Sequence, residues 1–339
     1  MRSIRVILFS IKLGKRLNIT FKNEKRELKK TIAKPEIVTL GSADNCTFTV
    51  ESGKVQEVHL KIYNDKGEFF LGVSPTVDLK KQYTHVWRKL YDNESYYLFP
   101  EDIIHIGNIS LLVQRFNVGI IADIGERAMM EDFNKIVHDL RISDNIHCSF
   151  YGVYDGHGGE YCAKYIVTHL HNILKKNLES TIPESSNLDA TVGKAIIKTF
   201  GEIDKAFNEE FKLLASFSGS TVVFVLIIGS RLYCANVGDS RAVICRKGIA
   251  YNLSRDHKPT DIEECKRIIS AGGEVKCGRV DGKLAIARAI GDFMFKKTPV
   301  IISDPEIRVW DINPNEDEFI VMGSDGLFDK FSSREAVSI

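Results

Sequence analysis

Three aspartates share one arrangement, in which each follows an apolar, strand-like run and has a glycine as an immediate neighbour. They are Asp155 at the end of "FYGVYD", Asp239 at the end of "LYCANVGD" and Asp325 at the end of "FIVMGSD". Carboxylate and carbonyl oxygens are the ligands that hard divalent cations such as Mg²⁺ or Mn²⁺ select, and glycine lets a ligand approach the backbone closely. The pattern indicates either a metal site built from three strand ends or an ordinary Asp-Gly turn at each position.

Two other side chains have types that suit phosphate chemistry. Arg127 in "GERAMMED" can hold a phosphate by two parallel hydrogen bonds, whereas taken alone it is more simply a surface arginine paired with Glu126 or Glu131. His157 in "DGHGG" can act as a general acid, whereas taken alone it is more simply a structural histidine. Their occurrence together with the aspartates favours a functional site.

The elements that would position these residues begin near residue 117. "SFYGVYD" and "TVVFVLII" have the length of buried strands, and "RLYCANVGDSRAVICRKG" reads as two strands around a tight turn. Three segments have the spacing of amphipathic helices, and the third, "PTDIEECKRIISAGG", has Thr260 as its expected N-cap and Gly272 as its end. Strands grouped with strands, and helices in long blocks, predict an α+β fold.

Residues 1–116 have a different pattern, which predicts a separate all-β domain. Short β-prone runs are divided by polar turns, and no long helical pattern occurs. "YNDKGEFF" reads as a hairpin that turns at Asp65 to Gly67. We therefore expect two domains, residues 1–116 and residues 117–339.

The composition limits the classes of protein to which the chain can belong. The net charge of +1 on 339 residues provides no general attraction to nucleic acid or to an anionic membrane, and no apolar run approaches the length of a membrane span. The seven cysteines are scattered without a C-x-x-C pair, which favours a reducing compartment over a disulfide framework or a zinc site. We expect a protein of the cytoplasm or nucleus.

Seven motifs together resemble one enzyme family. "RAMMED", "YDGHGG", "SGST", "NVGDSRAV", "DHKP", "ARAIGD" and "GSDGLFD" occur in the order found in the metal-dependent serine/threonine protein phosphatases of type 2C, and the resemblance spans residues 117–339. It implies an αββα sandwich of two antiparallel sheets flanked by helices. It also implies a centre of two Mg²⁺ or Mn²⁺ ions that serves dephosphorylation of phosphoserine and phosphothreonine proteins in signalling.

By this resemblance, six residues match metal-binding positions. Asp155 matches the aspartate that bridges both metals, and the Gly156 carbonyl matches a ligand of one of them. Asp325 matches the second metal-binding aspartate, and Glu131 matches an acid that reaches a metal through water. Two residues match positions of a weaker third metal, namely Asp239 and Asp329.

The resemblance also assigns the remaining steps of hydrolysis. Two cations would lower the pKa of a water between them and so supply a hydroxide nucleophile at neutral pH. Arg127 matches the phosphate-binding arginine, and His157 matches the general acid that protonates the departing serine or threonine oxygen. The sequence after Cys162, "AKYIVT", lacks the arginine of a C-x5-R loop, which excludes that cysteine as a phosphatase nucleophile.

Two departures from the family pattern leave a second interpretation open. Phe328 stands where the family usually has tryptophan, and the chain ends at "REAVSI", before the Asp-Asn pair whose aspartate completes one metal site in the family. The sequence given is therefore either a fragment or a chain with an incomplete metal site, and we expect a missing terminal strand to leave a sheet edge or an apolar face uncovered. The alternative function is a catalytically weak pseudophosphatase that acts as a binding or scaffolding module.

The first domain resembles a forkhead-associated domain in the segments "VTLGS", "VHLKI" and "PEDIIHIG". Ser42 stands in place of the arginine, and Gln56 in place of the serine, that bind phosphothreonine in that family, while His59 remains. The resemblance implies a β-sandwich that has lost phosphopeptide recognition. The other interpretation is a β-domain used for packing or for contact with a protein partner.

Overall fold

The computed structural model of the chain divides into two compact units. One consists of Gly14–Asn117, called the β unit below, and the other of Met1–Leu13 with Val118–Ile339, called the main unit. Within residues 1–117 the structure describes the backbone of the strands, and from 118 to 338 it describes backbone and side chains. The exceptions in the second range are residues 126, 128, 144–145, 183–186 and 314 and the side chains of 143 and 147.

The first strand, β1 (Val6–Lys12), is followed by nine strands among the described residues of the β unit. These are β2 (Leu17–Lys22), β3 (Glu27–Ile32), β4 (Val38–Gly41), β5 (Phe48–Thr49), β6 (Leu60–Asp65), β7 (Glu68–Val73), β8 (Ser95–Tyr97), β9 (Ile103–Ile106) and β10 (Ile109–Gln114).

The nine strands form two sheets, in the orders β3-β2-β10-β9 and β5-β4-β6-β7-β8. Asp65 pairs with Glu68 across β6 and β7, which confirms the predicted hairpin. The forkhead-associated resemblance stays a prediction, because Ser42, Gln56 and His59 lie outside the described residues.

The described residues of the main unit form thirteen further strands and five helices. The strands are β11 (Asn117–Asp123), β12 (Asp132–Ser143), β13 (Ile146–His157), β14 (Gly219–Ser220), β15 (Val222–Ile228), β16 (Arg231–Val237), β17 (Arg241–Arg246), β18 (Ile249–Asn252), β19 (Val275–Lys276), β20 (Arg279–Val280), β21 (Ile290–Gly291), β22 (Glu306–Asp311) and β23 (Asp317–Gly323). The helices are α1 (Tyr161–Thr181), α2 (Leu188–Phe211), α3 (Ile262–Ser270), α4 (Asp325–Phe328) and α5 (Ser333–Ser338), with short 3-10 turns at Leu214–Ser216 and Phe293–Phe295.

Two larger sheets organise the main unit. One has the order β21-β14-β13-β15-β16-β22, with β12 paired to β13, and the other has the order β11-β1-β23-β17-β18. The pairings among β12, β13, β15, β16 and β22, and those of β23 with β1 and β17, are antiparallel. This confirms the predicted mixed fold with antiparallel sheets.

The burial of strand residues and their contacts with the helices show how the layers of the main unit pack. In β15 every residue from Val222 to Ile227 is buried, so both of its faces are covered. Phe224 and Leu226 belong to a core shared with α1 and α2, and because neighbouring residues face opposite sides, Val223 and Val225 point to the other side. Val243 in the second sheet packs with residues of α4 and α5. The main unit is thus layered as helices, sheet, sheet and helices.

Phe328, which departs from the family pattern, is accommodated within the last of these layers. Its side chain is buried and packs with Leu327 and Val243. The Arg241 guanidinium lies 4.7 Å from the centre of the Phe328 ring, so the smaller aromatic side chain still has a cation over its face.

Strand β1 joins the main unit rather than the β unit. It pairs antiparallel with β23, from Leu8 opposite Gly323 to Lys12 opposite Phe319. The structure thus differs from the predicted division at residue 116, because residues 1–13 group with the main unit and the β unit is inserted between β1 and β11. Strand β23 has β1 on one side and β17 on the other.

The helix ends follow from local hydrogen bonding. Helix α2 begins after Asn187, whose side chain accepts the N–H of Ala190 at 3.1 Å. Helix α3 is capped by Asp261, which accepts the N–H groups of two residues in the first turn, so the prediction of Thr260 as N-cap is wrong by one residue. Gly272, with φ of +87°, ends that helix as predicted.

Among the described residues, no helix is long and apolar enough to cross a membrane.

Candidate active site

Glu131 and Asp155 meet where β12 begins and β13 ends. The register places Asp132 opposite Asp155, so Glu131 lies beside the loop that follows β13. The Gly156 N–H donates to the Glu131 carbonyl at 3.0 Å, and the Gly159 N–H donates to the Glu131 carboxylate at 2.8 Å. Both backbone and side chain of Glu131 therefore hold the "DGHGG" loop in place.

The glycines of this loop are required by close packing. A Cβ atom on Gly156 would lie 2.5 Å from the Glu131 carbonyl oxygen and 3.0 Å from the Ala163 Cβ in α1. Gly158 has φ of +67°, and a Cβ there would overlap the Phe217 carbonyl oxygen. Only glycine lets the strand end, the helix start and the neighbouring loop approach one another this closely.

A second acidic group comes from two other strand ends. Asp239 lies in the turn between β16 and β17, and Asp325 and Asp329 lie at the start and the end of α4. Burial, and then the charge of Asp325, raise the pKa of Asp239 to about 7. The pKa remains this high although the cation of Lys258 lowers it. Negative charge therefore accumulates here without full compensation.

Lys258, in the "DHKP" motif, was missed as a site residue. Its ammonium donates to Asp329 Oδ1 at 2.8 Å and lies 4.0 Å from Asp239 Oδ2. It thus contacts the two acids that match the weaker third metal. The motif itself was the available signal, since it places a cation shortly after the Asp239 turn.

His157 forms a partly buried pair with Asp292. The two side chains are 2.7 Å apart, from His157 Nε2 to Asp292 Oδ2. Burial lowers the pKa of His157, but the charge and hydrogen bond of Asp292 outweigh it, and the charges of Asp239 and Glu131 act in the same direction. The result is a pKa above the usual value for histidine, which favours the protonated form that a general acid needs.

Asp292 was also missed by sequence reasoning. It ends the motif "ARAIGD" and adopts a left-handed backbone with φ of 56°, held by its N–H bond to the Ser218 carbonyl at 3.1 Å. The signal was present, because Asp292 is another aspartate beside a glycine after apolar residues. Only the fold shows that it faces His157.

Gly219 makes room for this pair. A Cβ atom on Gly219 would overlap Asp292 Oδ2 and would lie 2.6 Å from His157 Nε2. Gly219 pairs with His157 across β13 and β14 and with Gly291 across β14 and β21. The glycine of the "SGST" motif is therefore explained by the space that the pair occupies.

The predicted metal ligands do not form a closed cage in the described part of the chain. Over the residues that the structure describes, no group of three or more His, Cys, Asp or Glu side chains is arranged to hold a metal ion. The donor types nevertheless fit Mg²⁺ or Mn²⁺, since all are oxygens. The raised pKa of Asp239 is the sign of carboxylates that a cation would stabilise. Arg127 lies between β11 and β12 with an exposed side chain.

Comparison with known proteins identifies the family. The sequence profile described as "Protein phosphatase 2C" matches residues 117–339. The chain is 37% identical over 225 residues to "Protein phosphatase 1L" of Bos taurus, covering 65% of this chain and 62% of that protein. It is 39% identical over 228 residues to "Protein phosphatase 2C homolog 3" of Schizosaccharomyces pombe, covering 65% and 53% respectively. The chain thus spans little more than half the length of these curated relatives.

Solved structures agree on the fold. A serine-threonine phosphatase 2C from Toxoplasma gondii superposes with a TM-score of 0.55 at 22% identity, over 64% of this chain and 80% of that one. A C. elegans sex determining protein gives a TM-score of 0.56 at 26% identity, over 63% and 52%. With the profile match covering nearly all of the main unit and every acid described above, the chain belongs to the protein phosphatase 2C family.

Proposed function

We propose that the main unit is a protein serine/threonine phosphatase that depends on Mg²⁺ or Mn²⁺. The observation that carries the proposal is the surroundings of His157. Its imidazole is paired with Asp292 and lies within electrostatic reach of Asp239 and Glu131. A proton donor near acids that suit divalent cations is the combination that metal-assisted hydrolysis of a phosphate ester requires, and this supports the proposal.

Each predicted ligand has a proposed place in this site. Asp155, the Gly156 carbonyl, Asp325 and Glu131 would hold two cations, and the remaining acids, Asp239 and Asp329, would hold a weaker third. When bound, the cations supply Lewis acidity that lowers the pKa of a water to near neutrality.

The chain's own side chains perform the remaining steps. Arg127, which is exposed, would bind the phosphoryl oxygens by two parallel hydrogen bonds and orient the phosphate. His157 would donate a proton to the departing serine or threonine oxygen. Because its Nε2 is occupied by Asp292, the proton offered to the leaving group would be the one on Nδ1.

A second function has one observation in its favour. The described acids do not form a ready group of three metal ligands, which is compatible with a catalytically weak pseudophosphatase that binds phosphoproteins without hydrolysing them. In both cases the substrates or ligands would be phosphoserine and phosphothreonine proteins. The β unit would contact a protein partner, and the chain would act in the cytoplasm or nucleus.

The deciding experiment measures hydrolysis of a phosphothreonine peptide with and without Mn²⁺. We expect hydrolysis only with Mn²⁺, and we expect Asp155→Asn to lose far more than tenfold, a factor that corresponds to about 1.4 kcal/mol, with an unchanged circular dichroism spectrum. Glu209→Gln, which changes an exposed acid on α2, is the matched control and should retain activity. Peptide binding without turnover would favour the pseudophosphatase, and an Asp155→Asn variant within tenfold of the parent would exclude the assigned role of Asp155.

A further inference from the structure

In the strand pairing at Asp155, a side-chain hydroxyl takes the place of a backbone carbonyl as hydrogen-bond acceptor. Strand β13 pairs with β15 as far as Val153 opposite Val223, and with β14 from Gly156 opposite Ser220, in one continuous register. Between these pairs Asp155 faces Thr221, and the Thr221 N–H donates to the Asp155 carbonyl at 2.9 Å. The reciprocal bond does not go to the Thr221 carbonyl, as an antiparallel pair would have it. The Asp155 N–H donates instead to Thr221 Oγ1 at 3.1 Å.

Ser220 completes this arrangement. Its hydroxyl lies 2.8 Å from the Thr221 carbonyl and 3.2 Å from the Asp155 carbonyl. The Thr221 carbonyl can accept this bond because the Asp155 N–H donates to the Thr221 hydroxyl. The peptide groups on both sides of Asp155, a predicted cation ligand, are therefore held partly by hydroxyl groups.

The same Thr221 hydroxyl reaches the second acidic group. Thr221 Oγ1 lies 2.7 Å from Ser240 Oγ, and Ser240 directly follows Asp239. Thr221 is 2% exposed and Ser240 is fully buried, so water does not compete for these bonds. One buried hydroxyl thus joins the backbone of Asp155 to the turn that carries Asp239.

We propose that Thr221 is a positioning residue that sets the spacing between the Asp155 and Asp239 loops, so that cation affinity depends on its hydroxyl. The inference rests on the proposed metal dependence and deepens it. Without the hydroxyl, the Asp155 N–H loses its acceptor and the two loops lose their link. The carboxylates then move relative to each other, whereas a metal site requires its ligands to be held within about half an ångström.

The test compares three threonine variants of the full chain. Thr221→Val removes the hydroxyl at nearly constant shape, and Thr221→Ser retains it. Thr199→Val is the matched control, because Thr199 is also fully buried and its hydroxyl also makes two bonds, to the Ala195 carbonyl at 2.7 Å and from Asn177 Nδ2 at 3.1 Å. Mn²⁺ affinity is measured by titration calorimetry, and thermal stability is measured in EDTA.

We expect Thr221→Val to weaken Mn²⁺ binding by roughly 10- to 100-fold, the range typical when a side chain that orients a metal ligand is lost. Thr221→Ser should stay within threefold of the parent, and Thr199→Val should lower the Tm without changing Mn²⁺ affinity. The role of Thr221 is overturned if Thr221→Val binds Mn²⁺ within threefold of the parent, or if Thr199→Val weakens binding to the same extent.

Two further measurements keep the test decisive if Thr221→Val does not fold. Ser240→Ala breaks the link from the other loop while the Asp155 N–H keeps its acceptor, and it should weaken Mn²⁺ binding more than threefold; unchanged binding would contradict the proposed link. In the metal-free chain, amide hydrogen exchange at Asp155 should be unchanged in Ser240→Ala, and a large acceleration there would contradict the separate roles of the two bonds. A parent chain that binds no Mn²⁺ would instead overturn the proposed metal dependence, and with it the role of Thr221 in cation affinity.

Discussion

Ionisation of the buried Asp239 side chain lowers the stability of the metal-free fold, and Asp239 belongs to the proposed cation site. Asp239 is 6% exposed, and its burial together with the charges of Asp325, Asp256 and Asp329 raises its pKa, while the charge of Lys258 lowers it. Burial among like charges favours the protonated form, so the folded protein retains a proton that the unfolded chain would release. The acid therefore destabilises the metal-free fold when it ionises.

We predict that Asp239→Asn stabilises the metal-free chain at pH 8 and not at pH 4. The folded pKa of about 7 lies above the ordinary aspartate pKa of 3.8, so the stability that Asp239 contributes is present below pH 4 and is lost as the pH rises through 7. The loss is on the order of 4 kcal/mol at most. Urea unfolding in EDTA at the two pH values measures the difference.

Asp329→Asn provides the control for that measurement. Asp329 is 54% exposed at its side chain and is paired with Lys258, so its removal should change stability little at either pH. Addition of Mn²⁺ should stabilise the parent more than Asp239→Asn. An equal effect of Asp239→Asn at pH 4 and pH 8 would contradict the assigned cause.

We predict that Asp292→Asn moves the falling limb of the pH–rate profile to lower pH. A general acid acts in its protonated form, so kcat falls as the pH rises through the pKa of His157. Asp292 is the main group that raises that pKa against the effect of burial, so its neutralisation lowers the pKa. The profile is measured with a phosphothreonine peptide.

The control for this prediction uses a different leaving group. p-Nitrophenyl phosphate releases a phenolate that departs without an added proton, so its profile should not move in Asp292→Asn. Identical profiles for parent and variant with the peptide would show that His157 is not the acid.

At the scale of elements, the glycine-rich ends of β13, β14 and β21 form one closely packed corner. Gly219 pairs with His157 on one side and with Gly291 on the other. Gly291 has φ of +84°, which leads directly into the left-handed Asp292. The corner thus brings a histidine and an aspartate into contact although 135 positions separate them in the chain.

We predict that Gly219→Ala reduces kcat for the peptide by roughly ten- to a hundredfold, the range expected when a catalytic group is displaced by about 1 Å. The new methyl group would occupy the space between Asp292 and His157 and would separate the pair. Steady-state kinetics and a thermal melt distinguish this from unfolding, because the effect on kcat should be much larger than the effect on stability.

Gly201→Ala is the matched glycine control. Gly201 lies in the interior of α2, where a Cβ would meet nothing within 4 Å. Alanine should therefore stabilise the helix by up to about 1 kcal/mol and leave kcat unchanged. A comparable loss of kcat in both variants would show that the effect is not specific to the corner.

At the scale of the whole molecule, the β unit is an insertion between two neighbouring strands of one sheet. Strands β1 and β11 are adjacent in the main unit, and the chain leaves and re-enters that sheet to form Gly14–Asn117. Strand β1 also covers the side of β23 that β17 does not. The main unit therefore depends on residues at both ends of the sequence.

We predict that deletion of residues 1–13 lowers the Tm of the chain by several degrees. The deletion removes the antiparallel partner of β23 and exposes a row of unpaired backbone groups. Because β23 leads into Asp325, Mn²⁺ affinity should fall as well. Differential scanning calorimetry of the two chains measures the change.

The matched control replaces residues 14–117 with a flexible linker of about fifteen residues, whose mean span of roughly 20 Å matches the length of one strand. This chain retains β1, and its main transition should remain within a few degrees of the parent. An unchanged Tm after loss of residues 1–13 would show that β1 contributes nothing to the sheet.

The sequence by itself determined much of the pattern of strands and helices, and it marked the candidate ligands of the proposed site. Alternating and helical patterns are local properties, so the strand "TVVFVLII", the hairpin at Asp65 and the end of α3 at Gly272 could be predicted from neighbouring residues. The motifs also pointed to Asp155, Asp239 and Asp325, because each aspartate carries its own local mark, an apolar strand before it and a glycine beside it.

Tertiary structure alone decided which of these residues meet and what each one experiences. The raised pKa of Asp239, the contact of Lys258 with Asp329, the pairing of His157 with Asp292 and the place of β1 beside β23 all join segments far apart in the chain. No local sequence pattern predicts such contacts, because the burial of a side chain and the charges around it depend on which distant segments the fold places beside it. The Thr221 hydroxyl is the sharpest case, since its two partners belong to different strand ends.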